Sequence, residues 1–151
     1  MIFHKLTDYL KPIFEILRWN KPTGRLILLI PAGWSLWLTP NENPDFFIVL
    51  KIICGGLLVS GFGCIANDIW DKEIDKKVKR TENRPLASNK INVKNAYLLL
   101  FLFIIGSFFI TLSLPVENRF LLLILAFLAA PLIVIYPSTK RWFKFPQLIL
   151  S

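Results

Sequence analysis

Four apolar blocks, running about 24 to 40, 46 to 66, 94 to 114 and 119 to 137, limit what this chain can fold into. Each is near the roughly 17 to 25 residues needed to cross the hydrocarbon core of a bilayer. A hydrophobic fraction of 54% and a mean hydropathy of +0.54 are too high for an ordinary soluble domain of 151 residues. The expected class is all-α, a polytopic transmembrane helix bundle of about four spanning helices. The first block is short and contains Pro31 and Gly33, which membrane helices tolerate when neighbours satisfy the freed backbone groups.

The net charge of +8 raises nucleic acid as a partner, but the placement of the charge argues against it. Lys5, Lys11, Arg18, Lys21 and Arg25 precede or open the first block. A further run from Lys72 to Lys94 lies between blocks two and three, and Lys140, Arg141 and Lys144 follow block four. The connection over 40 to 45 carries Glu42 and Asp45 with no Lys or Arg, and that over 114 to 119 carries Glu117 and Arg119. The positive-inside rule therefore puts the N-terminus, the loop of about 67 to 93 and the C-terminal stretch on the cytoplasmic side of a multi-pass membrane protein. Lys51 is the misplaced charge, and it is expected to snorkel outward.

Leu6, Leu10, Ile13, Ile16 and Leu17 recur at helical spacing with Lys11, Glu15 and Arg18 between them, which predicts an amphipathic helix on the membrane surface within an interfacial segment 1–23. Pro12 is expected to kink or interrupt it. Trp19 to Gly24 reads as a turn. Cys54 and Cys64, about 15 Å apart along one helix, are too distant for a disulfide and read as packing residues. The final residues, Pro146 to Ser151, read as a fifth apolar segment cut short, so a truncated chain is expected.

Chemistry concentrates in residues 67 to 85. At roughly 100° per residue, Asn67, Asp68, Asp71 and Asp75 fall at about 0°, 100°, 40° and 80°, so one helix face presents oxygen ligands. Carboxylates so crowded repel unless a cation sits among them, and oxygen-only ligation suits Mg²⁺ carrying a substrate phosphate. The basic run that follows would take other phosphate oxygens. A competing reading is a solvated helix end, with Lys72, Lys76 and Lys79 pairing with the acids. Such pairs stabilise by only a few tenths of a kcal/mol, roughly, and do not require acids on one arc. Asn67 and Asp68 also follow Gly63-Cys64-Ile65-Ala66 directly, close to hydrocarbon, where ionised groups are costly and usually functional.

Asn67-Asp68-x-x-Asp71-x-x-x-Asp75, followed by Val78-Lys79-Arg80-Thr81-x-Asn83-Arg84-Pro85-Leu86, resembles the first Asp-rich motif of the UbiA superfamily of intramembrane aromatic prenyltransferases. The tail from Val78 most resembles the 4-hydroxybenzoate polyprenyltransferase branch. Arg18-x-x-Lys21-Pro22-x-Gly24, Pro31-x-x-Trp34, Tyr136-Pro137-x-x-Lys140-Arg141 and Pro146-Gln147 are similar to that branch in the same order. The resemblance implies half of an eight- or nine-helix fold, because a second Asp-rich motif is expected in the other half and no second cluster occurs here. It implies Mg²⁺ held by Asn67, Asp68, Asp71 and Asp75, with the three aspartates as catalytic residues. Lys79, Arg80 and Arg84 would bind the diphosphate of a polyprenyl diphosphate. Arg25, Tyr136, Lys140 and Arg141 would serve the carbocation or the aromatic acceptor, for which 4-hydroxybenzoate in quinone biosynthesis is the expectation.

Two rivals remain in view. Lipid phosphatidyltransferases also use membrane Asp motifs with Mg²⁺, but their Asp-Gly-x-x-Ala-Arg start is absent. The non-enzyme alternative is a truncated, inactive membrane fragment, or one half of a split enzyme that pairs with a separate C-terminal half.

Overall fold

The computed structural model describes residues 10–21, 23–38 and 43–139. Among them are five helices: α1 over 10–16, α2 (Thr23–Trp37), α3 (Phe46–Asp75), α4 (Val93–Ser113) and α5 (Arg119–Thr139). Side-chain caps set several starts. Asp45 accepts from the backbone N–H of Phe47 at 2.8 Å and of Ile48 at 3.3 Å to open α3. Asn92 accepts from Lys94 N–H at 3.1 Å for α4, and Asn118 accepts from Leu121 N–H at 3.0 Å for α5. Each satisfies donors that the first turn cannot pair internally.

α3 is the hub, packed against α2, α4 and α5 and most extensively against α4. Glycine permits that approach: a Cβ added at Gly61 would collide with the Phe103 ring of α4. Small residues at helix crossings let membrane helices pack closely where no hydrophobic force drives them together. The outward faces carry large apolar side chains, such as Phe127 at 77% and Phe109 at 62% exposure, which suits lipid as solvent.

Among the described residues three helices, α3, α4 and α5, are long and apolar enough to cross a bilayer, and α2 is a shorter apolar helix, consistent with the expected polytopic bundle. α2 holds 15 residues, which at 1.5 Å each is about 22 Å, short of the roughly 30 Å hydrocarbon core. Its helix ends at Trp37, before the expected limit at 40. α3 departs in the other direction. Its 30 residues reach about 45 Å, so the block over 46 to 66 and the acidic stretch over 67 to 75 form one continuous rod.

The buried core lies at one end of the bundle. Ile16 and Leu17 of the N-terminal segment, Ile65 of α3, Leu86 and Ile91 of the 76–92 connection and Ala96 of α4 form one apolar cluster. Part of the apolar face expected to rest on lipid is thus inside the protein. Pro12 does not break the helix over 10–16, and Leu6 lies outside the described residues. The 76–92 connection is a folded cap made of turns, braced by Ser88 Oγ donating to Arg84 O at 2.8 Å. Lys51 donates to Ser113 O at 2.7 Å, so it caps the end of α4. Cys54 and Cys64 form no disulfide, as expected, and Cys54 is exposed where a packing residue was expected.

Candidate functional site

The end of α1 has an unusual local structure. Trp19 N–H bonds to Phe14 O at 2.9 Å and Arg18 N–H bonds to Glu15 O at 3.0 Å. This is the hydrogen-bond pair of a Schellman stop, and the Phe14 and Trp19 rings make its apolar contact at 5.1 Å. The stop needs a left-handed residue, for which glycine is usual. Arg18 fills it, at φ 53°. The strained backbone delivers its guanidinium to Asp68, with Nη2 to Oδ1 at 2.9 Å. Burial alone would ease deprotonation of Arg18, but the Asp68 carboxylate more than offsets this and raises its pKa above the ordinary value.

A second arginine arrives from the cap. Arg84 Nη1 lies 2.7 Å from Asp75 Oδ2 and 3.4 Å from Asp68 Oδ1, so one nitrogen bridges two carboxylates. Asp68 is 2% and Asp75 5% exposed, and two buried acids on one helix face require that neutralisation. The cap is fixed to the same turn by Thr81 Oγ1 donating to Asp75 O at 3.3 Å. On the other side, Trp70 Nε1 donates to Val134 O at 2.9 Å and ties the acidic end of α3 to α5.

Beside Asp68 opens a polar cavity of about 460 Å³ between α1, α3 and the cap. Arg18, Lys21, Arg80, Arg84 and Lys90 line it, against Glu15 and Asp68 as the only acids in its lining. Lys90 pairs with Glu15 at 3.6 Å. Lys21 and Arg80 have no acid partner among the described residues, which leaves a net positive cavity suited to an anion.

The expected site is thus partly assembled. Asn67, Asp68, Asp71 and Asp75 all lie on α3, with Asp68 and Asp75 buried and Asn67 and Asp71 half-buried. Arg80 and Arg84 line the cavity, whereas Lys79 is exposed and outside its lining. Tyr136 is half-buried near the end of α5 and does not line it. Arg25 falls in α2, and Lys140 and Arg141 lie outside the described residues. Arg18 and Lys21 were named in the sequence only as part of a motif and not as site residues. The signal that could have found Arg18 is the missing glycine at the end of a predicted helix.

The comparisons with known proteins bear on this arrangement. The family model of the UbiA prenyltransferase family matches residues 28–151. The chain belongs to the UbiA prenyltransferase family. It is 41% identical over 143 residues to a 4-hydroxybenzoate solanesyltransferase of Synechocystis sp., covering 92% of this chain and 46% of that relative. It is 37% identical over 137 residues to a 4-hydroxybenzoate octaprenyltransferase of Legionella pneumophila, covering 91% and 47%. A protein of the same name from Haemophilus ducreyi is 39% identical, covering 91% and 48%. The chain spans about half the length of these curated relatives. No solved structure matches it. UbiA membership and three long apolar helices make this a membrane protein.

UbiA enzymes generally depend on a divalent metal. The donor chemistry here fits one: Asp68 Oδ2 and Asp75 Oδ1 are not engaged by hydrogen bonds among the described residues, and buried carboxylates demand a cation. Among the described residues, however, no three acids stand close enough together to hold a metal ion. In this arrangement the cation between Asp68 and Asp75 is Arg84.

Proposed function

We propose that this chain forms the diphosphate-activating half of an enzyme that transfers a polyprenyl group from polyprenyl diphosphate to 4-hydroxybenzoate, with Mg²⁺ as the metal. The observation that carries the reading is the pair of buried aspartates at the end of a membrane-crossing helix, bridged by Arg84, with Asp68 lining a cavity that carries more cations than acids. The names of the curated relatives supply the acceptor and the group transferred.

Asn67, Asp68, Asp71 and Asp75 would hold the metal, whose contribution is to neutralise charge on the departing diphosphate. Arg84, Arg80 and Lys21 hold phosphate oxygens from the water side, Arg84 with the planar fork that suits them. The isoprenoid chain lies on the lipid side. An apolar cavity of about 590 Å³ between α3, α4 and α5, lined by Phe62, Ile104, Phe108, Ile124 and Ile133, provides a dry channel for it. Phe62 precedes Asp68 by six residues, a rise of about 9 Å along α3. In the transfer, the allylic C–O bond to diphosphate breaks and the ring carbon ortho to the phenol hydroxyl bonds to the allylic carbon. The ring proton then leaves as aromaticity returns. Excluding water matters because water would capture the allylic carbon first. Arg25, Tyr136, Lys140 and Arg141 remain the proposed acceptor-side group.

The topology belongs to the same proposal, with the N-terminus and the cap cytoplasmic, and so does a C-terminal half, joined or separately made, that completes the site. In membranes carrying the full-length gene product, Asp71→Asn is expected to abolish Mg²⁺-dependent prenyl transfer while insertion stays intact. Unchanged turnover would remove the metal from the reading.

A further inference from the structure

We infer that Arg84, supported by Arg18, acts as an internal counter-ion that keeps a bare divalent cation out of the Asp68–Asp75 site and yields to a cation that arrives together with a diphosphate-class anion. This rests on the function proposed above and adds what it leaves open, the chemical form in which the metal binds.

The argument starts from charge. Asp68 and Asp75 are two turns apart on one face of α3, both buried, and Arg84 Nη1 sits within 3.4 Å of the first and 2.7 Å of the second. Arg18 adds a second cation at 2.9 Å from Asp68. Two guanidinium groups match the two carboxylates of Asp68 and Asp75, so this buried pair is already neutralised without a metal. A lone divalent ion placed between the same acids would face both arginines at close range, with no anion to receive them. A diphosphate changes that balance. Its oxygens accept the arginines in the adjoining 460 Å³ cavity, where Lys21 and Arg80 have no acid partner among the described residues, and the carboxylates are released to the metal. The exchange needs movement mainly in the cap, because Arg84 is carried by non-helical backbone between α3 and α4.

The test is equilibrium dialysis of the detergent-solubilised full-length gene product against Mn²⁺ alone, then against Mn²⁺ with inorganic diphosphate. Protein-bound metal and phosphate are counted for the wild type, Arg84→Gln and Arg84→Lys. The wild type is expected to retain Mn²⁺ with diphosphate far better than Mn²⁺ alone. Arg84→Gln is expected to bind Mn²⁺ alone at least about tenfold more tightly than the wild type, the lower end of what a close charge pair commands. That gain should vanish when Asp68→Asn is added. Arg84→Lys, which keeps the charge but not the fork, should fall between the two, and it carries the test if Arg84→Gln does not fold. Equal binding of Mn²⁺ alone by the wild type and both Arg84 variants would overturn the inference and leave the proposed function standing. Failure of the wild type to retain metal even with diphosphate would overturn both.

Discussion

Arg18 shows how a site residue can hide in a sequence. Among Lys11, Arg18, Lys21 and Arg25 it reads as one more positive charge facing the cytoplasm, and only the missing glycine at the end of a predicted helix points to its left-handed backbone. The structure separates it from the others, because it takes the glycine position of a helix stop and contacts a buried carboxylate. Two substitutions distinguish those roles. Arg18→Ala and Arg18→Gly both delete the ion pair, but only glycine relieves the backbone. Arg18→Gly is therefore expected to be less destabilised than Arg18→Ala by about 1 kcal/mol, measured by unfolding in detergent. Equal stabilities would mean the left-handed conformation is unstrained. The acids behaved differently. Asp68, Asp71 and Asp75 were legible because helical spacing alone puts them on one arc, whereas their partners, fixed by tertiary packing, were not.

The helices divide in the same way. α4 and α5 were readable nearly to their ends, since uninterrupted apolar runs and asparagine caps leave little choice. For α3 the apolar span ends near 66, but the acids after it keep helical spacing, and charged residues after a membrane block do not end a helix. Nothing in Asn67 to Asp75 breaks one, and the rod continues. The 76–92 cap was harder still. Its charge run suggested an insertion in water, while Leu86 and Ile91, spaced among the charges, are what anchor it beneath α1. The α3–α4 crossing yields a direct check. Gly61→Ala is expected to cost about 1 to 3 kcal/mol through collision with Phe103, and Phe103→Leu in the same chain should recover part of that loss. Thermal unfolding of the single and double variants measures it. No recovery would place the strain elsewhere.

Taken as one body, the chain puts its packed core at the end that holds the acids and leaves the lipid-facing length of α4 and α5 thinly covered. The sequence conveyed the class because hydropathy alone fixes a membrane helix bundle. It could not convey this polarity, which depends on α1 and the cap closing over α3. The proposed orientation is open to a simple experiment. A cysteine at Glu82, on the exposed side of the cap, is expected to react with a membrane-impermeant thiol reagent only when the cytoplasmic face is opened. Cys54→Ser and Cys64→Ser remove the background thiols. Labelling from the outside of sealed cells would invert the topology.

The unbroken rod of α3 carries a consequence for how such a protein meets membranes of different thickness. A helix that only spans can be lengthened or shortened residue by residue until its apolar stretch matches the bilayer. Here each added residue before Asn67 would turn the acidic face by about 100° and push it about 1.5 Å outward, away from Arg18, Arg84 and the α5 carbonyl that receive it. Hydrophobic mismatch must therefore be met by tilting the bundle or deforming the lipid around it, and the span from Phe46 to Ala66 acts as a ruler whose length the aqueous site dictates.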